Sequence, residues 1–468
     1  MTASKSLTPM LWLVAIGFFM QTLDSTIVNT ALPAMAHSLG ELPLRMQSVV
    51  ISYSLTMAML IPASGWLADR LGTRRVYFAA ILLFVLGSLL CAASHNLTQL
   101  VLARILQGAG GAMLLPVGRL AILRSFPGDK MLSALSFVAI PGLVGPLIGP
   151  TLGGWLVDFA SWHWIFLINI PVGVIGMAAT FIFMPDHRGP STRFDLSGYV
   201  LLAVGMVTIS FALDGVAELG LQHATVLVLL ILSLASFTAY GLHAARRPDA
   251  IFSLALFRIH TYSVGLLGNL FARIGTGAMP YLIPLLLQVS LGYSPFAAGL
   301  MMLPVAAAGM SIKRAVAPLV ERFGYRNVLV GNTLLVGVVI ASFMLMSREE
   351  PLWLRLIHLG VFGGLNSLQF TAMNTLTLKD LGREGASSGN SLFSVVQMLA
   401  MSLGVTVAGA LLTTFHESAT QNDPGHTLAA FHWTFLCVGL ITCASAWIFG
   451  QLSPDVRRAG PHGGAAEV

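Results

Sequence analysis

The chain has 468 residues, of which 56% are hydrophobic and only 9% charged, with a net charge of +6 and a mean hydropathy of +0.82. Soluble domains run near 45–50% apolar and about 25% charged, so this composition excludes an ordinary globular enzyme and describes an all-α polytopic membrane protein. The positive balance is not evidence of a nucleic-acid partner, because the bases recur at one set of turns between apolar runs.

A helix needs roughly 20 mainly apolar residues to cross ~30 Å of hydrocarbon. Such runs stand at 10–34, 46–68, 76–94, 99–123, 131–157, 164–184, 196–213, 222–243, 261–290, 296–317, 327–347, 352–377, 387–414 and 427–450. The expectation is therefore fourteen membrane helices. Ala34-Met-Ala36 mimics a signal-peptidase site, but the preceding run is too long and, with Gln21, Asp24 and Asn29, too polar to be removed as a leader.

The first run carries Asp24, the one carboxylate well inside a predicted span apart from Asp214 at the end of the seventh. At 1.5 Å per residue it lies ~22 Å along its helix. Arg104 enters from the opposite side in the fourth run, and the two depths nearly coincide across ~30 Å of hydrocarbon. An acid and a base at one depth are candidates for proton coupling, or for a permanent structural ion pair.

Between the second and third runs lies Gly65-Trp-Leu-Ala-Asp-Arg-Leu-Gly-Thr-Arg-Arg75, with an acid and three bases between Asp69 and Arg75. In the fifth run Gly142, Gly145, Gly149 and Gly153 recur every three or four residues, followed by Gly154. They make a smooth helical face for close helix packing, while Pro146 and Pro150 remove backbone donors and should bend the helix. The seventh and eighth runs hold few polar residues and read as a lipid-facing insert. Arg273 stands alone near the middle of the ninth run. Asn29, Gln107, Arg273, Asn366, Gln369 and Asn390 are candidate polar groups of a substrate cavity, and for the amides interhelical hydrogen bonding is an equal alternative.

The charged turn has an echo. Asp69, Arg70, Gly72 and Arg74 recur at the same spacing as Glu321, Arg322, Gly324 and Arg326. Parallel repeats of six spans are a transporter architecture. The expected organisation is a six-helix bundle over 1–190, a two-helix insert with linkers over 191–255, a second six-helix bundle over 256–452 and a tail over 453–468. Most of the 25 lysines and arginines fall on one side if both termini are cytoplasmic, as the positive-inside rule requires. Cys91, Cys437 and Cys443 lie in predicted spans without metal-ligand spacing, so no metal and no cofactor is expected.

Four motifs in this order resemble the major facilitator superfamily, in its fourteen-span drug:proton antiporter branch. They are Gly65–Arg75, Leu23-Asp-Ser-Thr-Ile-Val-Asn-Thr-Ala-Leu-Pro33, Arg104-Ile-Leu-Gln-Gly-Ala-Gly-Gly111 and Gly142–Gly154, with Trp162-His-Trp-Ile-Phe-Leu-Ile-Asn-Ile-Pro171 beside them. The resemblance covers essentially the whole chain. It implies two rocking bundles plus two inserted helices in a bacterial inner membrane, and a monomer that exchanges protons for small amphipathic compounds. It makes the charged turn a latch, with Asp69 at the start of span 13, Arg70, Arg74 and Arg119 or Arg124 completing a cluster that outward opening breaks. It sets the glycine face of span 5 against the counterpart of span 8 of twelve-helix relatives, as a seal against proton leak. The chain departs from the pattern at Lys313-Arg314, late in span 10. With Arg104 and Arg273, these bases keep open a second expectation, export of an organic anion such as citrate or a metal–carboxylate chelate.

Overall fold

The computed structural model describes residues 3–125, 128–189, 194–219, 223–247, 250–252, 254–381, 383–418 and 426–453. The apolar runs are helical and no strand occurs among the described residues; helices are the one arrangement besides a closed barrel that satisfies every backbone donor and acceptor within hydrocarbon. In chain order the helices are α1 (Ala3–Leu39), α2 (Gln47–Leu71), α3 (Thr73–Ala92), α4 (Leu97–Ser125) and α5 (Gly128–Phe159). They continue as α6 (Trp164–Phe183), α7 (Leu196–Leu219), α8 (Ala224–Ala245), α9 (His260–Ser290) and α10 (Pro295–Ser311). Last come α11 (Lys313–Ser342), α12 (Leu352–Leu378), α13 (Arg383–Ser418) and α14 (His426–Gly450). Among the described residues, 11 helices are long and apolar enough to cross a membrane.

The packing pairs recur eight helices later. In the first half α1 lies against α5, α2 against α4 and α3 against α4 and α6; in the second α9 lies against α13, α10 against α12 and α11 against α12 and α14. The halves meet reciprocally, through α2 on α13 and α5 on α10. The pair α7–α8 stands between them in sequence, and α7 packs on α13 and α2 beside that seam. On α8, Val228, Ile231, Leu234 and Leu242 are left exposed, as side chains facing lipid are. A buried hydrogen bond from Gly198 N–H to Asp195, and the contact of His243 Nε2 with Asp195 Oδ1 at 2.7 Å, hold the base of the pair together.

Four described glycines have positive φ, and they form two matched pairs: Gly40 and Gly72, Gly292 and Gly324. Each pair has the same separation, and Gly72 (φ 98°, ψ 143°) and Gly324 (φ 78°, ψ 157°) share one conformation. That combination belongs to glycine alone, because any Cβ clashes with the flanking peptides. The duplicated turns are thus two copies of one backbone device. Gly72→Ala and Gly324→Ala are each expected to cost about 1–3 kcal/mol, seen as a lower unfolding temperature in detergent. Gly65, with open space where a Cβ would stand, should tolerate alanine without that loss.

The prolines at 141, 146 and 150 lie within the single helix α5. One feature departs from expectation: the expected span 296–317 is broken, at Met302 and again at Ile312, and the helix opening at Lys313 runs on to the Gly324 kink. Pro304, in the first turn of the second piece, is a sign of the break at Met302; no proline stands beside the one at Ile312. Lys313 and Arg314 are exposed just past the second.

Candidate functional site: a buried ion pair and two charged turns

The depth argument for Asp24 and Arg104 holds. Arg104 Nη1 donates to Asp24 Oδ2 at 2.6 Å, and both side chains are essentially fully buried. Gln107, one turn after Arg104 on α4, donates from Nε2 to Asp24 Oδ1 at 2.7 Å and accepts from Arg104 Nη1 at 2.7 Å. Gln107 is therefore part of the ion-pair network rather than a cavity group standing apart from it. Asn169, in the second turn of α6, donates to Asp24 Oδ1 at 3.3 Å and to Ser88 Oγ at 3.2 Å. Gln107 Nε2 also reaches Ser88 Oγ, at 2.9 Å. The guanidinium lies 4.1 Å from the Tyr53 ring centroid, and its Nε donates to Val49 O at 3.2 Å.

Groups from five helices thus join in one network around the carboxylate, which itself accepts from α4 and α6. A bare ion pair loses more by leaving water than it regains, unless its remaining lone pairs and protons are hydrogen-bonded. Here both carboxylate oxygens are. The pair is neutral as a unit, and in a low dielectric each charge offsets the other.

Asn169, Ser88 and Tyr53 were not singled out by sequence reasoning. Asn169 belongs to the Trp162–Pro171 motif, and Ser88 lies ~22 Å into α3 at 1.5 Å per residue, the depth of Asp24. Matching depths among the few polar residues of the apolar runs was the signal available.

The remaining candidates separate into other places. Arg273 Nε donates to Asn269 Oδ1 at 3.2 Å and its guanidinium covers the Phe370 ring at 4.3 Å. Its Nη2 is buried with no described partner. Gln369 is committed between helices, accepting from Asn332 Nδ2 at 2.8 Å and donating to Thr333 Oγ1 at 2.6 Å. Asn29 donates to Ser25 O at 3.4 Å, and its buried Oδ1 has no described partner. Asn366 and Asn390 are partly exposed.

At the charged turn Asp69 pairs with Arg124, at the end of α4, rather than with Arg119. Arg70 covers the Trp66 ring at 5.3 Å, and Arg74 Nε donates to Met184 O at 2.6 Å. The segment following α6 straps the turn: Thr73 N–H donates to His187 O at 3.0 Å, Thr73 Oγ1 to Pro185 O at 2.8 Å, and Gly189 N–H to Asp69 O at 3.2 Å. These described partners of Asp69 belong to the first half. The expected approach to the start of α13 falls on 382–388, whose side chains lie outside the described residues. In the second copy Arg322 covers the Phe323 ring at 5.3 Å, and Lys379 lies over Tyr325, beside the Gly324 kink, at 5.6 Å.

The glycine face of α5 meets a different neighbour from the one expected. A Cβ at Gly142 would strike Phe18, at Gly145 Thr22 and Leu23, at Gly149 Thr26 and at Gly153 Ile27, all on α1. Only the next position turns to α10: a Cβ at Gly154 would stand 2.2 Å from Pro295 O, and reciprocally one at Gly299 would stand 2.3 Å from Pro150 O. Pro146 is exposed. The period of the glycines defines a face, but helix order around the bundle decides what covers it. Thr151 Oγ1 donates to Gly299 O at 3.1 Å and Gln288 Nε2 to Thr30 O at 2.8 Å, so the halves are sealed at the end opposite the charged turns.

Two halves of like packing, a buried ion pair in one of them and a seal at one end are the parts of a multi-pass membrane transporter. The model of the Major Facilitator Superfamily matches residues 14–405 and 265–465, and the chain belongs to that family, whose members are transporters and not enzymes. It is 51% identical over 458 residues to the "Putative multidrug resistance protein MdtD" of Pectobacterium atrosepticum, covering 98% of each chain. It is 52% identical over 445 residues to the protein of the same name from Serratia proteamaculans, covering 95% of this chain and 93% of that one. Among solved structures, a bacterial homolog of the human lysosomal transporter Spinster, inward-facing and unoccupied, aligns with TM-score 0.68 at 14% identity, over 95% of this chain and 96% of that one. A POT family transporter in complex with 5-aminolevulinic acid aligns with TM-score 0.68 at 15% identity, over 94% of each. At these identities the structural likeness concerns the fold alone.

Proposed function

We propose that the chain is a proton-coupled exporter of small amphipathic compounds, working as a monomer by alternating access in a bacterial inner membrane. The single observation that carries this reading is the buried Asp24–Arg104 pair with its amide partners Gln107 and Asn169. A carboxylate whose counter-ion can be drawn away by motion of the halves is a site that alternates between binding and releasing a proton. The relatives named for multidrug resistance favour export as the direction and drug-like compounds as the class. Fourteen spans, divided as bundles 1–190 and 256–452 around the insert 191–255, place both termini on the cytoplasmic side with the basic turns.

In this account the seal of α5 on α10 closes the periplasmic end, and the turns at Asp69–Arg75 and Glu321–Arg326 work at the cytoplasmic end. Turnover requires the Asp69 cluster to be remade as the halves rock. Asp69→Asn is expected to slow ethidium efflux from everted vesicles about tenfold, the effect of ~1.4 kcal/mol on a barrier, with equilibrium ethidium binding to the purified protein unchanged. Unchanged efflux would reduce the turn to a topology signal.

A second reading, export of an organic anion, is favoured by Arg273, whose Nη2 has no partner and whose guanidinium has no carboxylate among the described residues. Arg104 no longer supports it, being neutralised by Asp24. Arg273→Gln is expected to leave ethidium efflux within about twofold while abolishing any proton-driven citrate transport, since a bidentate guanidinium contact is not replaced by an amide. Everted vesicles given an imposed proton gradient and each compound in turn decide between the two classes.

A further inference from the structure

Among the described residues two arginines are buried outright, Arg104 in the first half and Arg355 in the second. Arg355, in the first turn of α12, bonds the Tyr293 hydroxyl, and its Nη2 donates to Ser347 O at 2.6 Å and to Glu350 O at 3.3 Å. Its Nε stands 3.7 Å from Glu350 Oε2. Beside it Arg348 Nε donates to Ser290 O at 2.8 Å. The two arginines together pin the segment 290–294 to the second half, because a guanidinium holds its donors in a rigid fork. That segment turns at Gly292 (φ 75°) and delivers the first turn of α10, where Ala297 N–H donates to Ser294 Oγ at 3.2 Å. The N–H of Phe296 in that turn goes to the other half instead. It donates at 2.9 Å to Oδ2 of Asp158, at the end of α5. The Phe159 ring, next to Asp158, meets the Phe296 ring edge-on at 5.9 Å.

We propose that Asp158 is the latch of the outer end: a carboxylate of one half that holds the first turn of α10 in the other and lets go when the halves part there. The role rests on the alternating-access reading, and it does not depend on which compound is exported or on whether protons drive it. Asp158 lies one turn of α5 beyond Gly154, whose close approach to Pro295 O, like that of Gly299 to Pro150 O, makes the halves touch without a directional bond. The carboxylate supplies the direction, since an N–H bond to an ionised acceptor is about twice as strong as a neutral one. Asp158 is exposed, so water replaces the bond as it breaks and the net cost of release is small. A buried carboxylate would resist release. Because Arg355 and Arg348 hold the segment before α10 to its own half, rocking of the halves falls on the Phe296–Asp158 bond rather than on the loop. At the charged turns the described partners of Asp69 lie within its own half, whereas the carboxylate at the outer end bridges the two.

The test places one cysteine at 288, whose native amide bonds Thr30 O across the same seam, in the full chain with Cys91, Cys437 and Cys443 replaced. Membrane vesicles of native orientation are treated with a membrane-impermeant maleimide, and labelling is compared among variants in this one background. Asp158→Ala removes the acceptor, and labelling is expected to rise about fivefold, a shift of ~1 kcal/mol between the closed and open states. Asp158→Asn keeps an oxygen that accepts from Phe296 N–H, and labelling should stay within about twofold of the parent. The unfolding temperature should be nearly unchanged in both, because the residue is exposed. Gly154→Val, which crowds the same seam, is the reference. Labelling raised in Gly154→Val but not in Asp158→Ala overturns the latch and leaves alternating access standing; labelling raised in neither contradicts both. A lower unfolding temperature with unchanged labelling would make Asp158 a cap of α10 and nothing more. Equal labelling in the alanine and asparagine variants overturns the hydrogen bond as the means of closure.

Discussion

Replacing Asp24 with asparagine is expected to abolish proton-driven efflux and to destabilise the protein by about 3–5 kcal/mol, the loss typical when one member of a buried ion pair is removed. The stability loss arises because Arg104 stays buried among Val49, Tyr53 and Gln107 with no counter-charge. Arg104→Gln should lose transport and stability for the mirror reason. The double variant Asp24→Asn/Arg104→Gln carries no charge at this site and retains amides able to pair with Gln107, Asn169 and Ser88. It is expected to recover most of the lost stability and none of the proton-driven efflux. Thermal unfolding in detergent, read as a double-mutant cycle, gives the coupling; ethidium efflux from everted vesicles gives the activity. Efflux that returns together with stability would make the pair a structural tie.

Gly154→Val and Gly299→Val are expected to hold the far-end seal open. In each case the added carbon would stand 2.2–2.3 Å from a backbone carbonyl of the facing half, not from a flexible side-chain tip. A backbone contact cannot yield locally, so the halves must part. Gln288 then loses its bond to Thr30 O, and a cysteine placed at 288 becomes open to a membrane-impermeant maleimide. With Cys91, Cys437 and Cys443 replaced, labelling at that position should rise about tenfold, a shift of ~1.4 kcal/mol between the two states, and efflux should stop. Gly145→Val is the control. Its Cβ would meet Leu23 N at 2.7 Å within the same half, and overpacking of that kind costs about 1–3 kcal/mol of stability without altering the labelling. Equal behaviour of all three variants would contradict the role given to the α5–α10 contact.

Depth along a helix is readable from sequence, and azimuth around it is not. That difference separates what the residues disclosed from what the structure added. Asp24 and Arg104 could be paired by counting residues, because 1.5 Å per residue places both near one level. Asn169 and Ser88 share that level, yet many apolar-run residues do, and only the packing of α3, α4 and α6 selects them. The glycines of α5 were legible as a face, but the periodicity is silent on whether α1 or α10 covers it. Gln107 and Gln369 look alike in sequence as amides within a span; the structure gives one to the ion pair and the other to Asn332 and Thr333. The turn at Asp69 disclosed its charges, and Arg124 was among the partners its pattern suggested. The strap from Pro185 to Gly189 was hidden because most of its bonds use backbone atoms, which carry no residue signature. The duplicated motif announced a repeat, and the shared positive-φ geometry of Gly72 and Gly324 shows the physical constraint behind it.

The most direct measurement of the central claim is proton movement itself. Purified protein is reconstituted into liposomes loaded with a pH-sensitive dye, and an ethidium gradient is imposed without any pH gradient. Wild-type protein is expected to move protons against the ethidium flow, and the Asp24→Asn/Arg104→Gln variant, folded and reconstituted to the same extent, is expected to move none. Ethidium-driven proton movement of equal size in the two proteins would contradict the assignment of proton coupling to the buried pair.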